Sequence, residues 1–422
     1  MSSDDDNNSV NNTNKEKPSG LRNVLALGLV SFFTDFSTEM VLGILPLFIV
    51  NNLGASRAIL GAIEGSAELV SYAFRTVSGS LSDKVGKRKI FILAGYGLST
   101  FSKPFFASST GWLDAFVVRT TDRIGKGLRT APRDALIADS VSESISGKAF
   151  GIHRTIDQMG AILGPIAAFS LLQIMDIRGV FVVSLIPGAI AVLILILFVK
   201  EIAIKRGGHS KAATVFSNIG TVMSDNKPFV FLLIISGIFS LGAFNFSFVL
   251  LKASELGIDN DLIPIVYAVI NVSHTAIGIP SGILADKIGK EKVLIIGYSI
   301  FAVSTALMAA ISSAENSIYA FVLAAIFGLY IGISETVQRA VVPRYVSSEF
   351  RGTAFGVYNV VLGTSFFVSN VVFGFLWDNY NLNVAVVYSI GLTSAAIIGM
   401  FVFIKRFSIN KVTYQLYNER LK

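Results

Sequence analysis

Apolar runs of about 20 residues, the length a helix needs to cross a bilayer, recur along the chain between short polar interruptions. Six can be set at 24–50, 58–82, 89–108, 112–138, 150–174 and 178–199. After a polar, basic stretch from Lys200 to Lys227, six more follow at 228–251, 263–285, 292–312, 317–342, 352–376 and 383–405. The pattern predicts an all-α integral membrane protein of twelve transmembrane helices. Its divisions fall at 21–199 for a first bundle, 200–227 for a linker and 228–405 for a second bundle. The opening MSSDDDNNSVNNTNKEKPSG has almost nothing apolar and no signal-peptide core, so 1–20 reads as a disordered tail, with 406–422 as a second tail.

Composition agrees that lipid is the solvent. Of 422 residues 52% are hydrophobic and 15% charged, and the mean hydropathy is +0.65, far from a soluble domain. Charge then sets the orientation. With both termini cytoplasmic in a plasma membrane, nearly all of the 35 Lys and Arg fall on the inner side. The exceptions are Arg57, Lys103, Arg178 and Lys252 on the outer side, and Arg75 within the second span.

Several chemistries drop out. Cysteine is absent, which removes disulfides and thiolate metal sites, and His153, His209 and His274 stand too far apart in sequence for a paired-histidine metal motif. No P-loop pattern occurs, so ATP is not the driving force. No nucleophile, base and positioning group share a readable spacing. The expectation is a non-enzyme without cofactor or metal, which binds no nucleic acid and draws on gradients.

One span breaks the apolar rule. RTTDRIGKGLRTAPRDAL (119–136) carries Arg119, Asp122, Arg123, Lys126, Arg129, Arg133 and Asp134. At 100° per residue all seven charges occupy one arc of about 140°. Each unpaired cation at mid-bilayer depth costs roughly 3 kcal/mol, so this face must look on water or counter-charges. Counter-charges lie in neighbouring spans: Asp35 and Glu39, Glu64 and Glu68, Arg154 and Asp157. Counted from the outer ends, Arg119 and Glu64 both lie about 10 Å deep, and Arg123 and Glu68 about 15 Å, which makes them expected pairs.

The halves repeat. GSLSDKVGKRK (79–89) returns as GILADKIGKEK (282–292), SGKAFG (146–151) as RGTAFG (351–356), and APR (131–133) as VPR (342–344). On these residues the chain resembles the major facilitator superfamily over essentially everything after the first tail. The loop Gly79-x-x-x-Asp83-x-x-Gly86-Lys87-Arg88-Lys89 looks like that family's motif A, with its echo at Gly282 and Asp286. GAILGP (160–165) is similar to the fifth-helix motif of its proton antiporters, departing from it at Ala167 and Ala168.

The resemblance implies two pseudo-symmetric six-helix bundles, a functional monomer in lipid, and alternating access for a small solute accompanied by protons. A net-basic cavity would favour an anion; the alternative is a proton-coupled multidrug efflux antiporter. The expected substrate contacts are Arg119, Arg123, Lys126, Asp35, Glu335 and Arg339, the last two one turn apart in the tenth span. Glu39, Glu64 and Glu68 are the expected proton carriers. Gly79, Asp83, Gly86, Arg88, Arg129, Arg133, Gly282 and Asp286 form the expected conformational latch, with Arg129 and Arg133 able to reach Asp83.

Overall fold

A computed structural model describes residues 18–202, 219–311, 317–347 and 350–407. Among them run twelve long helices: α1 (Pro18–Leu42), α2 (Arg57–Val85), α3 (Arg88–Ser102), α4 (Trp112–Ser140), α5 (Ser146–Leu172), α6 (Ile177–Phe198), α7 (Lys227–Glu255), α8 (Ile263–Ile288), α9 (Lys290–Ala310), α10 (Ile318–Val341), α11 (Arg351–Asn379) and α12 (Leu382–Phe407). The chain breaks helical form at Ser184 within α6 and at residues 243–245 within α7. A short helix and a wide turn, Leu45–Leu47 and Phe48–Asn52, prolong α1, and a tight turn, Lys103–Ser108, prolongs α3.

Helix α1 starts at Pro18, three residues inside the expected tail, because proline suits a first helical turn whose N–H groups are unpaired anyway. The rest of that tail, residues 203–218 of the linker and residues 408–422 lie outside the described residues; the linker's described part includes a short helix, Ile219–Asp225. Nine segments among the described residues are long and apolar enough to cross a membrane. The remaining three, α2, α3 and α4, fall short for local reasons: α2 and α4 carry buried charge, and α3 has only 15 residues before its tight turn.

Packing repeats between the halves. Helix α1 lies on α5 and α6, α2 on α4, and α3 on α4 and α6; in the second half α7 lies on α11 and α12, α8 on α10, and α9 on α10 and α12. The halves meet where α2 runs along α11 and α5 along α8, and exchanging the halves maps each contact onto the other. The paired glycines of α5 serve this packing. A Cβ on Gly160 would strike the Phe32 carbonyl, and one on Gly164 would sit 2.6 Å from the Phe36 carbonyl oxygen. Their absence of side chains lets α5 lie directly on α1, as small residues do between membrane helices.

The interiors differ in kind. The second half is filled by rings, with Phe239 stacked on Tyr298 at 3.7 Å between centroids and Phe244 on Phe373 at 4.2 Å. The first half buries ions. Helices α2 and α4 bring Glu64 and Arg119 together, each about 2% exposed, through two parallel hydrogen bonds: Arg119 Nη2 to Glu64 Oε2 at 2.7 Å and Nε to Oε1 at 3.1 Å. Arg119 also donates to Asp122 at 3.3 Å, whose other oxygen accepts from Ser99 Oγ at 2.5 Å.

Candidate functional site

A cavity of about 270 Å³ lies between the halves, walled by α1, α2, α4 and α5 on one side and α7, α8 and α10 on the other. Six basic residues (Arg75, Arg123, Lys126, Arg129, Arg133, Arg154) and six acidic ones (Asp35, Glu39, Glu68, Asp134, Asp157, Glu335) line it. The expectation of a net-basic cavity is therefore corrected: the formal charge of the described lining balances. Helices α1, α2 and α5 turn their own carboxylates toward the face where α4 turns its cations.

The cavity reaches the end of the molecule that carries the linker. There Asp134, Arg154 and Glu335 have side chains about half exposed, at 46%, 50% and 44%. The far end is shut. Arg57, at the start of α2, pairs with Glu255 at 2.6 Å and Asp378 at 3.2 Å across the boundary between halves, and its guanidinium lies 4.9 Å from the Trp377 ring centre. Asp378 also caps α2, accepting from the Ala58 backbone N–H at 2.9 Å.

Most lining charges are engaged. Arg133 pairs with Asp134 at 2.9 Å and donates to Ser31 at 3.2 Å. Arg154 spans the halves, reaching Asp157 at 3.2 Å and Glu335 at 3.4 Å. Arg129 lies over the Tyr96 ring at 4.6 Å and 3.9 Å from Asp35. Glu39 accepts from Tyr267 Oη of α8 at 2.5 Å. Arg123 and Lys126 differ. The nearest carboxylate to Arg123 is Asp122 at 4.0 Å, already held by Arg119 and Ser99, and its buried Nε has no hydrogen-bond partner. Lys126 has no ion-pair partner among the described residues.

Several expected placements change. Arg119 and Glu64 do form the expected pair, but away from the cavity, since both lie in the tight contact between α2 and α4. Arg123 and Glu68 both line the cavity without closing an ion pair, and Glu335 meets Arg154 and His274, each at 3.4 Å. The side chain of Arg339 lies outside the described residues. Arg129 and Arg133 turn into the cavity, and Asp83 faces Arg88 at 3.4 Å.

The motif-A loop is a tied corner. Gly86 has φ of 72°, the left-handed form that ends a helix cheaply, and a Cβ on Gly79 would lie 3.2 Å from Ala131 of α4. Arg88 bonds Asp139 of α4. In the repeat, Gly282 lies near Thr336 and Asp286 is solvent-facing, 3.8 Å from Lys290. Glu291, in the place of Arg88, takes Arg344 at 3.1 Å and the Tyr345 hydroxyl at 2.5 Å. Burial and Glu291 together push the Tyr345 phenol above its usual range, so it stays a donor.

Residues not selected from sequence include Tyr267, which reaches Glu39, and Asn271, which donates to the Ala161 carbonyl of α5 at 2.9 Å. Neither has a sequence signal beyond being polar in an apolar span. Arg57 did have one: it stands on the side where basic residues are scarce.

Beside the charged cavity lies a second lobe of about 220 Å³, lined by seven aromatic rings and sharing Glu68, Tyr72, Asn245, Phe246, Ile331 and Glu335 with the first.

Two repeated six-helix units around a polar cavity, closed at one end and accessible at the other, define a multi-pass membrane transport protein. The sequence matches the Major Facilitator Superfamily over residues 27–370, and the chain belongs to that family. It is 36% identical over 376 residues to the uncharacterized MFS-type transporter MJ1317 of Methanocaldococcus jannaschii, spanning 87% of this chain and 91% of that one. Over 179 residues, 40% of this chain and 43% of the relative, it is 30% identical to the multi-drug resistance efflux pump PmrA of Streptococcus pneumoniae. The crystal structure of the nucleoside transporter NupG shares the fold, with a TM-score of 0.73 at 15% identity over 92% of this chain and 100% of that one. The protein is a secondary transporter of a small-molecule substrate, not an enzyme.

Proposed function

We propose that the protein moves a small anionic solute across the plasma membrane together with protons, by alternating access, with both termini cytoplasmic. In this reading the linker end is the cytoplasmic end and the structure faces inward. The observation that carries it is the pair Arg123 and Lys126, cations that line the cavity and have no ion-pair contact closer than 4.0 Å. A cation left so in low dielectric is costly, and an entering anion repays that cost.

Charge balance supplies the reason for protons. An anion entering a cavity with six charges of each sign leaves it negative. Protonation of Glu68 or Glu39 restores neutrality, and both line the cavity without a cationic partner at ion-pair distance among the described residues. The halves then rock: the Arg57 contacts at the far end part as the cytoplasmic ends of α2 and α11 close. Asp83 and Arg88, with Arg88 tied to α4, act as the latch at that cytoplasmic end.

The test is uptake into proteoliposomes, with substrate-dependent thermal stabilisation of the purified protein, over a panel of anionic and cationic solutes. Anions should stabilise and be carried, faster under an inward proton gradient, and Arg123→Ala should abolish both effects. Stabilisation by cations alone would overturn the reading.

A second reading is proton-coupled efflux of amphipathic cations. The likeness to PmrA and the aromatic lobe bordered by Glu68 and Glu335 favour it. The same panel separates the two.

A further inference from the structure

The cavity has two chemically different walls, and they belong to different halves. The first half supplies the guanidinium and ammonium groups of Arg123 and Lys126; the second supplies most of the rings of the adjoining lobe. Six residues border both lobes, which therefore adjoin. Two rings of the second lobe, Phe246 and Phe366, are only partly buried, whereas Phe239, Phe244 and Phe327 are at most 2% exposed. The two partly buried rings therefore offer faces that the protein's own packing leaves open, with Phe246 held in place by stacking on Tyr267 at 4.5 Å.

Resting on the anionic reading above, we propose that the substrate is an amphipathic organic anion with an aromatic ring. Its acidic group sits on Arg123 and Lys126, and its ring sits against Phe246 and Phe366. Apolar area leaving water and offset ring contacts hold the body, while the cations hold the head. The carboxylates on the border do not redirect the site toward an aromatic cation. Glu335 is already taken by Arg154 and His274, and Glu68 shares its wall of the cavity with Arg75, Arg123 and Lys126. A substrate that touches both walls also joins the halves, which is how its binding would favour their relative movement.

A matched series tests this on the purified, full-length protein: butyrate, 4-phenylbutyrate, 4-phenylbutylammonium and inorganic phosphate, each titrated for binding by calorimetry and thermal stabilisation. 4-Phenylbutyrate should bind about tenfold or more tightly than butyrate, the gain expected from burying one ring. Phe366→Leu should shrink that gap by weakening 4-phenylbutyrate more than butyrate, whereas Arg123→Ala should weaken both. Equal affinity for the two carboxylates would overturn the aromatic inference and leave the anionic reading standing. Tighter binding of the ammonium, or no binding of any anion, would overturn both.

Discussion

Arg344 and Glu291 form, 3.1 Å apart, the reverse of a pair in the other half. At the matching corner the first half places Arg88 on the third helix and Asp139 on the fourth. In each half the start of the third helix is thus tied at the linker end by an ion pair, to the fourth helix in the first half and to the turn just past it in the second, with acid and base on opposite sides. By the repeat Arg344 matches Arg133 rather than Asp139, so each half makes the tie with residues of its own, as expected of a contact whose role is geometric.

Reversing one such pair should therefore be tolerated where breaking it is not. Arg88→Glu alone sets a second carboxylate against Asp139 and should lower the melting temperature and slow transport. Adding Asp139→Arg should recover most of both. A double variant no better than the single one would show that Arg88 has a role beyond the tie, for which Asp83 is the candidate partner.

Arg119 and Glu64 give a prediction of opposite character. With both side chains about 2% exposed, Glu64→Gln leaves a buried guanidinium short of its partner and should cost about 3–5 kcal/mol of stability. Replacing both residues with apolar ones of similar size should cost much less. Thermal unfolding in detergent reads the difference, and a mild single variant with a large loss of substrate affinity would return the pair to the binding site.

Arg123 should behave differently from Arg119. Arg123→Ala should leave the melting temperature of the substrate-free protein near its original value while weakening binding by about 2–5 kcal/mol, the usual loss on truncating a buried charge contact. Arg123→Lys should recover only part, since an ammonium lacks the planar fork of a guanidinium. Calorimetric titration and the melting curve together separate the two roles.

At the far end, Arg57→Ala removes contacts to Glu255, Asp378 and Trp377 at once. The balance should move toward states open there. The chain has no cysteine, so a single Leu42→Cys at the cavity's upper wall gives a clean reporter. Its labelling from the far side should quicken by roughly two- to tenfold, the shift produced by losing about 0.5–1.4 kcal/mol. Unchanged labelling would deny Arg57 a gating role.

The halves themselves should be separable. They meet through α2 against α11 and α5 against α8, so halves expressed apart, cut at Gly207-Gly208, should associate and transport. Association without transport would give the linker a role of its own.

Much of the fold is legible in the sequence alone. Each membrane helix must satisfy its backbone internally and present apolar side chains to lipid, so span number and limits are written in local composition. The repeat is equally local, because both copies carry the same turn residues at the same spacing. The stripe on α4 announced a polar face, since a helix fixes which side chains share a side. Its partners were another matter. Depth counting matched Arg119 to Glu64, because both lie on neighbouring helices whose rise per residue is fixed, yet the same count failed to pair Arg123 with Glu68. Lateral rotation of each helix about its axis decides that, and tertiary packing alone sets it. Packing also put four carboxylates of α1, α2 and α5 against the cations of α4, and with Asp134 of α4 and Glu335 from the second half the lining balances. It carried Arg154 across to Glu335 and Tyr267 to Glu39, contacts between residues 181 and 228 positions apart. Such contacts depend on where two rigid bundles dock, and no local pattern encodes a docking angle.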